Sequence, residues 1–198
     1  MGGVTALLAL ALASPMGQKL ARHAGQLVGH HSLSEVTSAY PDDCSGFVRY
    51  VYASAGLSLA PEARGDGGSV AAALYRQLRP AMRHRTARPG DLVFFRNTWD
   101  RNQDGKLDDG ITHVGVVEVV DGKGNVSFVH RDHQGIVRSR IDLRHPHVQR
   151  DEERVHNDVL RRKPQLSTGD LLAGFAAPRG LKQRAGRRSA AVKSRKQT

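Results

Sequence analysis

The sequence predicts an α+β fold, with helices in its first half and an antiparallel sheet in its second. Three observations carry this expectation. Apolar residues recur at helical spacing up to about residue 79. They alternate at strand spacing between residues 92 and 143, and Pro-Gly and Asp-Gly turns punctuate that second region.

The first helical signal is GQKLARHAGQLVG (17–29), where Leu20, Ala24, Leu27 and Val28 form one stripe and Gly29 supplies a stop. The second runs from Cys44 to Ala55. Phe47, Val48, Val51, Tyr52 and Ala55 fall on one face, Gly56 follows, and Asp42 or Asp43 is a natural N-cap. A third helix is expected in SVAAALYRQLR (69–79). RPGDLVFF (88–95) then reads as a turn feeding a strand. THVGVVEVV (112–120), NVSFVHRD (125–132) and GIVRSRIDL (135–143) read as a meander, the first two joined by DGKG. DLLAGFAAP (170–178) is the last segment with the composition of a packed element.

A chain of 198 residues with 39% hydrophobic content suits one domain with extensions. Its single cysteine excludes an internal disulfide. The net charge of +11 is concentrated at one end: residues 179–198 hold eight Lys or Arg and no acid, leaving +3 for the remainder. That segment cannot repay its ordering entropy by burial and is expected to be a disordered basic tail, suited to an anionic wall polymer or another polyanion. Nucleic acid is the weaker partner, since no aromatic platform accompanies the tail. At the other end, VTALLALALA (4–13) has the length of a signal-peptide core, with Ala11 and Ala13 forming an A-x-A site before Ser14. It is too short to span a bilayer. The alternative is a first helix of the domain. The expected organisation is a signal-like segment (1–16), a catalytic domain (17–178) and a basic tail (179–198), in a secreted, periplasmic or envelope protein.

Chemistry centres on Cys44. A thiol attacks carbonyls as the thiolate, and a helix N-terminus or a nearby imidazolium lowers its pKa. Cys44 falls in the first turn of its helix; its histidine must come from elsewhere in the fold. Two of the ten histidines lie in expected strands. Alternation puts His113, Gly115 and Val117 on one face, and a residue lacking a side chain beside His113 suits a strand closely approached by a helix. His130 shares its face with Val126 and Phe128. The short turn makes the two strands neighbours, so His130 is placed to accept the Nδ1 proton of His113.

The ordered set DCSGFV, PGDLVFF, HVGVVE and FVH resembles the NlpC-type and CHAP (cysteine, histidine-dependent amidohydrolase/peptidase) cell-wall enzymes of the papain-like superfamily. The resemblance covers residues 20 to 143 and extends toward 178. It implies helices packed on an antiparallel sheet, with Cys44 as nucleophile, His113 as general base and His130 as orienting residue. In CHAP-like members an acid or amide orients the base, which makes Asp132 the rival. The N–H of Cys44 or Ser45 is then expected in an oxyanion hole. The tyrosine that NlpC-type enzymes carry about a dozen residues before the cysteine is replaced by Ser32; Tyr40 lies closer to Cys44.

The loop DRNQDGKLDDG has the Asp-x-Asn-x-Asp-Gly spacing of calcium loops. Asp100, Asn102 and Asp104 are the side-chain ligands expected, with the Lys106 carbonyl, and Asp108 or Asp109 closing the site. The twelfth position is Ile111 and not Glu, so the geometry differs from an EF-hand. The alternative is a charged loop held by Asx turns. HRDH and HPH supply imidazoles but lack the one-face spacing of a helical zinc motif. The expected function is hydrolysis of peptidoglycan amide bonds through an acyl-enzyme. No cofactor is required for the chemistry, and calcium is structural. An acyltransferase on the same thiol, or a non-catalytic wall-binding protein, are the alternatives.

Overall fold

The computed structural model describes residues 14–60 and 69–177. The apolar run at 4–13 and the tail at 179–198 lie outside them. Helix α1 (Pro15–Gln26) starts on Pro15, with the Ser14 hydroxyl accepting from the N–H of Gly17 at 3.1 Å. The helix therefore begins two residues before the expected boundary at 16/17. Helices α2 (Cys44–Ser54) and α3 (Val70–Leu78) follow, within a residue of the expected spans.

Among the described residues, eight strands succeed them: β1 (Met82–Arg83), β2 (Leu92–Arg96), β3 (Ile111–Val120), β4 (Asn125–Asp132), β5 (Gly135–Asp142), β6 (Val159–Arg162), β7 (Gln165–Ser167) and β8 (Leu172–Ala176). A single turn, α4 (Thr168–Leu171), precedes β8. One antiparallel sheet has the order β1-β8-β2-β3-β4-β5, and β6-β7 form a separate hairpin. The mixed architecture of N-terminal helices on an antiparallel sheet agrees with the expected α+β class. The segment 170–178 contributes β8, which enters the sheet between β1 and β2.

Both faces of the sheet are buried. On one, Leu92, Phe94, Val114, Val116 and Val129 pack with Leu20 of α1, Phe47, Val48 and Val51 of α2 and Leu74 of α3. On the other, Phe95, Val117, Val126, Phe128 and Phe175 pack with Leu160, Leu166 and Leu171 of the C-terminal arm, formed by β6, β7 and α4. Removing one large side chain of this kind from water is worth about 1.5–3 kcal/mol, so the apolar stripe of α2 alone fixes that helix on the sheet. Tyr52, fully buried, also donates its hydroxyl to the Gly90 carbonyl at 2.7 Å, tying α2 to the turn before β2.

Candidate active site

The first turn of α2 is set by its neighbours on either side. Asp43 is the N-cap and accepts from the N–H of Gly46 and the hydroxyl of Ser45, both at 2.7 Å. Gly46 has no alternative: a Cβ there would lie 1.9 Å from the Pro41 carbonyl oxygen. The tight packing of Pro41 against the helix start therefore dictates the glycine of DCSG. Asp42 gathers four donors. The Ser32 hydroxyl (2.9 Å), the Leu33 N–H (2.7 Å) and both Nε and Nη2 of Arg131 (2.8 Å each) converge on its carboxylate. Arg131 follows His130 in β4, so this bidentate pair links the strand of one histidine to the start of the cysteine's helix.

His113 and His130 come together as the hairpin predicts. His113 Nε2 lies 2.8 Å from His130 Nδ1, with the rings nearly perpendicular. The nitrogen engaged is Nε2, and not the Nδ1 inferred from sequence. Nε2 faces β4, which leaves Nδ1 as the ring nitrogen that His130 does not engage. His130 Nε2 continues to the Ser139 hydroxyl of β5 at 3.1 Å. The tautomers follow. For His113 to accept a proton at Nδ1, its Nε2–H must donate to His130 Nδ1, whose Nε2–H then donates to Ser139 Oγ. Ser139 carries no sequence signal; only register places it beside His130.

Asp132, the rival orienting group, accepts from the N–H of Gln134 at 2.7 Å in the β4–β5 turn. Gly115 gives room to β4 and not to a helix. A Cβ there would meet the Phe128 ring at 2.9 Å, the Val129 carbonyl at 2.9 Å and the His130 Cβ at 3.2 Å. Gly115 thus shares the arm-side face of the sheet with His113 and His130, and its missing side chain lets the two histidines approach.

Burial governs the electrostatics. The Cys44 thiol is pushed up to about 11, first by desolvation and then by the Asp43 carboxylate. The N–H groups of Val114, Ser45 and Cys44 pull the other way and lose. The lowered thiol pKa expected from the helix N-terminus is therefore corrected: the dipole is present, but the packed surroundings outweigh it. His113 is lowered to about 4 by desolvation, opposed by Asp43, and His130 is lowered well below its usual value by desolvation and by His113. Both shifts favour the neutral thiol and the neutral imidazole.

These groups open into a cleft of about 1090 Å³. Cys44, His113, His130, Trp99, Arg140 and Arg162 line it. Residues 158–162, at the start of the β6–β7 hairpin, line it too. Ser32 caps a short 3-10 turn (Leu33–Glu35), and Tyr40 packs on Tyr50 and beneath the Arg49 guanidinium. Neither lines the cleft.

The acidic loop closes on its own backbone. Asp100 accepts from the N–H groups of Asp104 (3.2 Å) and Gly105 (2.8 Å), Asn102 from that of Asp104 (3.3 Å), and Asp104 from that of Lys106 (2.9 Å). Asp109 Oδ1 accepts from the N–H of Arg101, while its Oδ2 is enclosed without a hydrogen-bond partner. Asp108 lies beside Leu107 and Gly110 in a shallow hollow. Among the described residues no helix is long and apolar enough to cross a membrane.

No curated protein sequence matches the chain. The sequence pattern of the NlpC/P60 family matches residues 29–155, which take in the cysteine helix, both histidine strands and Ser139. With well over half its length matched, the chain belongs to the NlpC/P60 family of cell-wall peptidases and amidases.

Proposed function

We propose that the protein is a cysteine hydrolase that cuts an amide bond of peptidoglycan through an acyl-enzyme. The observation that carries this reading is the chain His113–His130–Ser139 lining the cleft that Cys44 shares. Ser139 Oγ holds the His130 tautomer, and His130 holds that of His113, with Nδ1 unprotonated. As sulfur attacks the carbonyl carbon, the thiol proton passes to His113 Nδ1, so a free thiolate need not accumulate at a site that opposes it. The imidazolium so formed donates its proton to the leaving amine. Water, deprotonated by the same nitrogen, then cleaves the thioester and regenerates the thiol. The first-turn N–H groups of α2 provide donors for the tetrahedral oxyanion.

The cleft suits an anionic peptide. The Arg162 guanidinium meets His133 at 3.2 Å in place of a carboxylate, and is available to a stem-peptide carboxyl group. Structural calcium in the 100–109 loop belongs to the same proposal, supported by the unpartnered Asp109 Oδ2 at the loop's closing position. The basic tail is assigned to wall anchoring in a secreted or envelope setting.

Digestion of purified sacculi by wild type and Cys44→Ala, in calcium and again in chelator, tests these points together. Wild type is expected to release fragments with new amino termini whose masses name the bond, and Cys44→Ala to release none. Equal release by both proteins would end the thiol reading. Acylated amines in place of free acids would make the enzyme an acyltransferase. A melting temperature and rate unchanged by chelator would remove calcium. Deleting residues 179–198 should weaken salt-sensitive pelleting with sacculi; unchanged pelleting would release the tail from that role.

A further inference from the structure

A second cluster of chemical groups lies outside the cleft, where β5 ends and the arm begins. Asp142 is the last residue of β5 and is 1% exposed; His156 is 6% exposed. The Nδ1 atoms of His145 and His156 lie 3.1 and 2.8 Å from the same carboxylate oxygen, Asp142 Oδ2. All three donor atoms fall within 4.8 Å of one another, the one such group among the described residues. A tetrahedral zinc ion with bonds of about 2.0–2.1 Å separates its donors by roughly 3.3 Å, close to the two nitrogen–oxygen separations here.

The surroundings are those of a ligand set held in place. Asp142 Oδ1 is occupied by the N–H groups of Arg144 and His145 at 2.9 and 3.2 Å, which turns Oδ2 toward the imidazoles. His156 Nε2 meets Asp151 Oδ2 at 2.5 Å. That carboxylate holds the Nε2–H, so the proton a metal would displace is the one His156 Nδ1 now donates to Asp142 Oδ2, and the carboxylate behind the ring is the support that metal-bound histidines carry. Asn157, fully buried, braces both backbones: its Oδ1 accepts from the Asp142 N–H at 3.0 Å, and its Nδ2 donates to the carbonyls of His145 and Val148.

We propose that Asp142, His145 and His156 form a binding site for a divalent transition-metal ion, zinc by its donor set, with Asp151 as the carboxylate behind His156. The fourth position is left to water. Arg154 Nη2 now lies 3.0 Å from Asp142 Oδ2 and 3.4 Å from His156 Nδ1, on a side chain 45% exposed, and would have to turn outward for the ion to enter. The ion's place in the fold gives it a role. Residues 143–157 form the loop between β5 and the arm, and the next five residues, 158–162, line the cleft. A metal joining the two ends of that loop fixes this part of the lining against the sheet. The site differs from the sequence motifs HRDH and HPH, since only His145 belongs to either and its partners lie 3 and 11 positions away in opposite directions.

The test uses the full chain carrying Cys44→Ala, so that the active-site thiol cannot supply a ligand, and is read by metal uptake and not by hydrolysis. Titration with Co2+ is expected to give a saturable visible absorption band at one ion per chain, displaced by Zn2+ and not by Ca2+. His145→Ala, at an exposed side chain, should abolish the band while leaving the fold intact by circular dichroism. His147→Ala, a neighbour paired with Asp170, should retain it. Arg154→Ala should tighten Zn2+ binding severalfold by removing the competing cation. Absence of any saturable band, a band that survives His145→Ala, or weaker binding in Arg154→Ala would each overturn the proposal and leave an ion-pair network in its place. None of these readouts depends on whether the cleft cuts peptidoglycan.

Discussion

His130 acts on the reaction through another side chain, and its contacts define what its loss should do. It is 1% exposed, between His113 on one nitrogen and Ser139 on the other. Removing it frees the His113 ring to rotate and to protonate on either nitrogen, so the base is misoriented more often than it is absent. His130→Gln should therefore lower kcat by roughly 10²–10⁴-fold, the range spanned by orienting and general-base groups, with KM little changed. Ser139→Ala should cost less, because it removes only the last acceptor of the chain. Initial rates on a synthetic stem peptide decide this: a His130→Gln enzyme within threefold of wild type would mean that His113 needs no partner. The thiol adds a second lesson at this scale. A helix N-terminus is visible in sequence, but the burial that raises Cys44 to about 11 is a property of everything packed around it.

At the level of elements, the pairing of β3 with β4 assembles the site, and Gly115 sets its spacing. An added methyl would meet Phe128, the Val129 carbonyl and His130 at 3.2 Å or less, with strand backbone on one side and a ring on the other. Neither yields cheaply, so Gly115→Ala should push β4 away and lengthen the His113–His130 bond. The expected result is a loss of activity approaching that of His130→Gln, with destabilisation of about 1–3 kcal/mol from overpacking. Full activity with an unchanged denaturation midpoint would show that the strands have slack. The meander itself was legible, because alternation and the DGKG turn fix register, and register brought His113 and His130 together. What alternation cannot say is which cover lies on which face when both are buried. That is why Gly115 reads from sequence as making room for a helix, whereas it faces the arm side and makes room for β4. Hairpin β6–β7 and strand β1 are too short, at four, three and two residues, to leave a periodic signal. Ser139 and the partnership of Asp142 with His156 are likewise set by long-range register and loop return, to which local patterns are blind.

Across the whole molecule, His113, half-buried in the cleft, and His130, buried behind it, predict how stability depends on pH. His113 has its pKa lowered from 6.5 to about 4 in the folded protein, and His130 is lowered further. Between those values the unfolded chain binds protons that the folded chain refuses. Stability must therefore fall as pH drops through 6.5, and the loss from His113 levels off near pH 4. At 1.36 kcal/mol per unit, His113 alone removes up to about 3 kcal/mol across that window, and His130 acts in the same direction. His156, raised by Asp151 and Asp142, has the opposite sign: its contribution is present at low pH and is lost as pH rises through its raised value. The carboxylates of Asp42 and Asp142, both held well below the usual range, contribute above about 3.8 and fail only below it, so they leave the histidine window clear. Denaturant midpoints measured at pH 7.5 and 4.5 should therefore drop markedly for wild type, and much less for a His113→Gln/His130→Gln double variant. Equal drops in the two proteins would mean that the histidines are already protonated in the fold. The neutral thiol–imidazole pair would then give way to a resting ion pair, and the proton would have moved before substrate arrived.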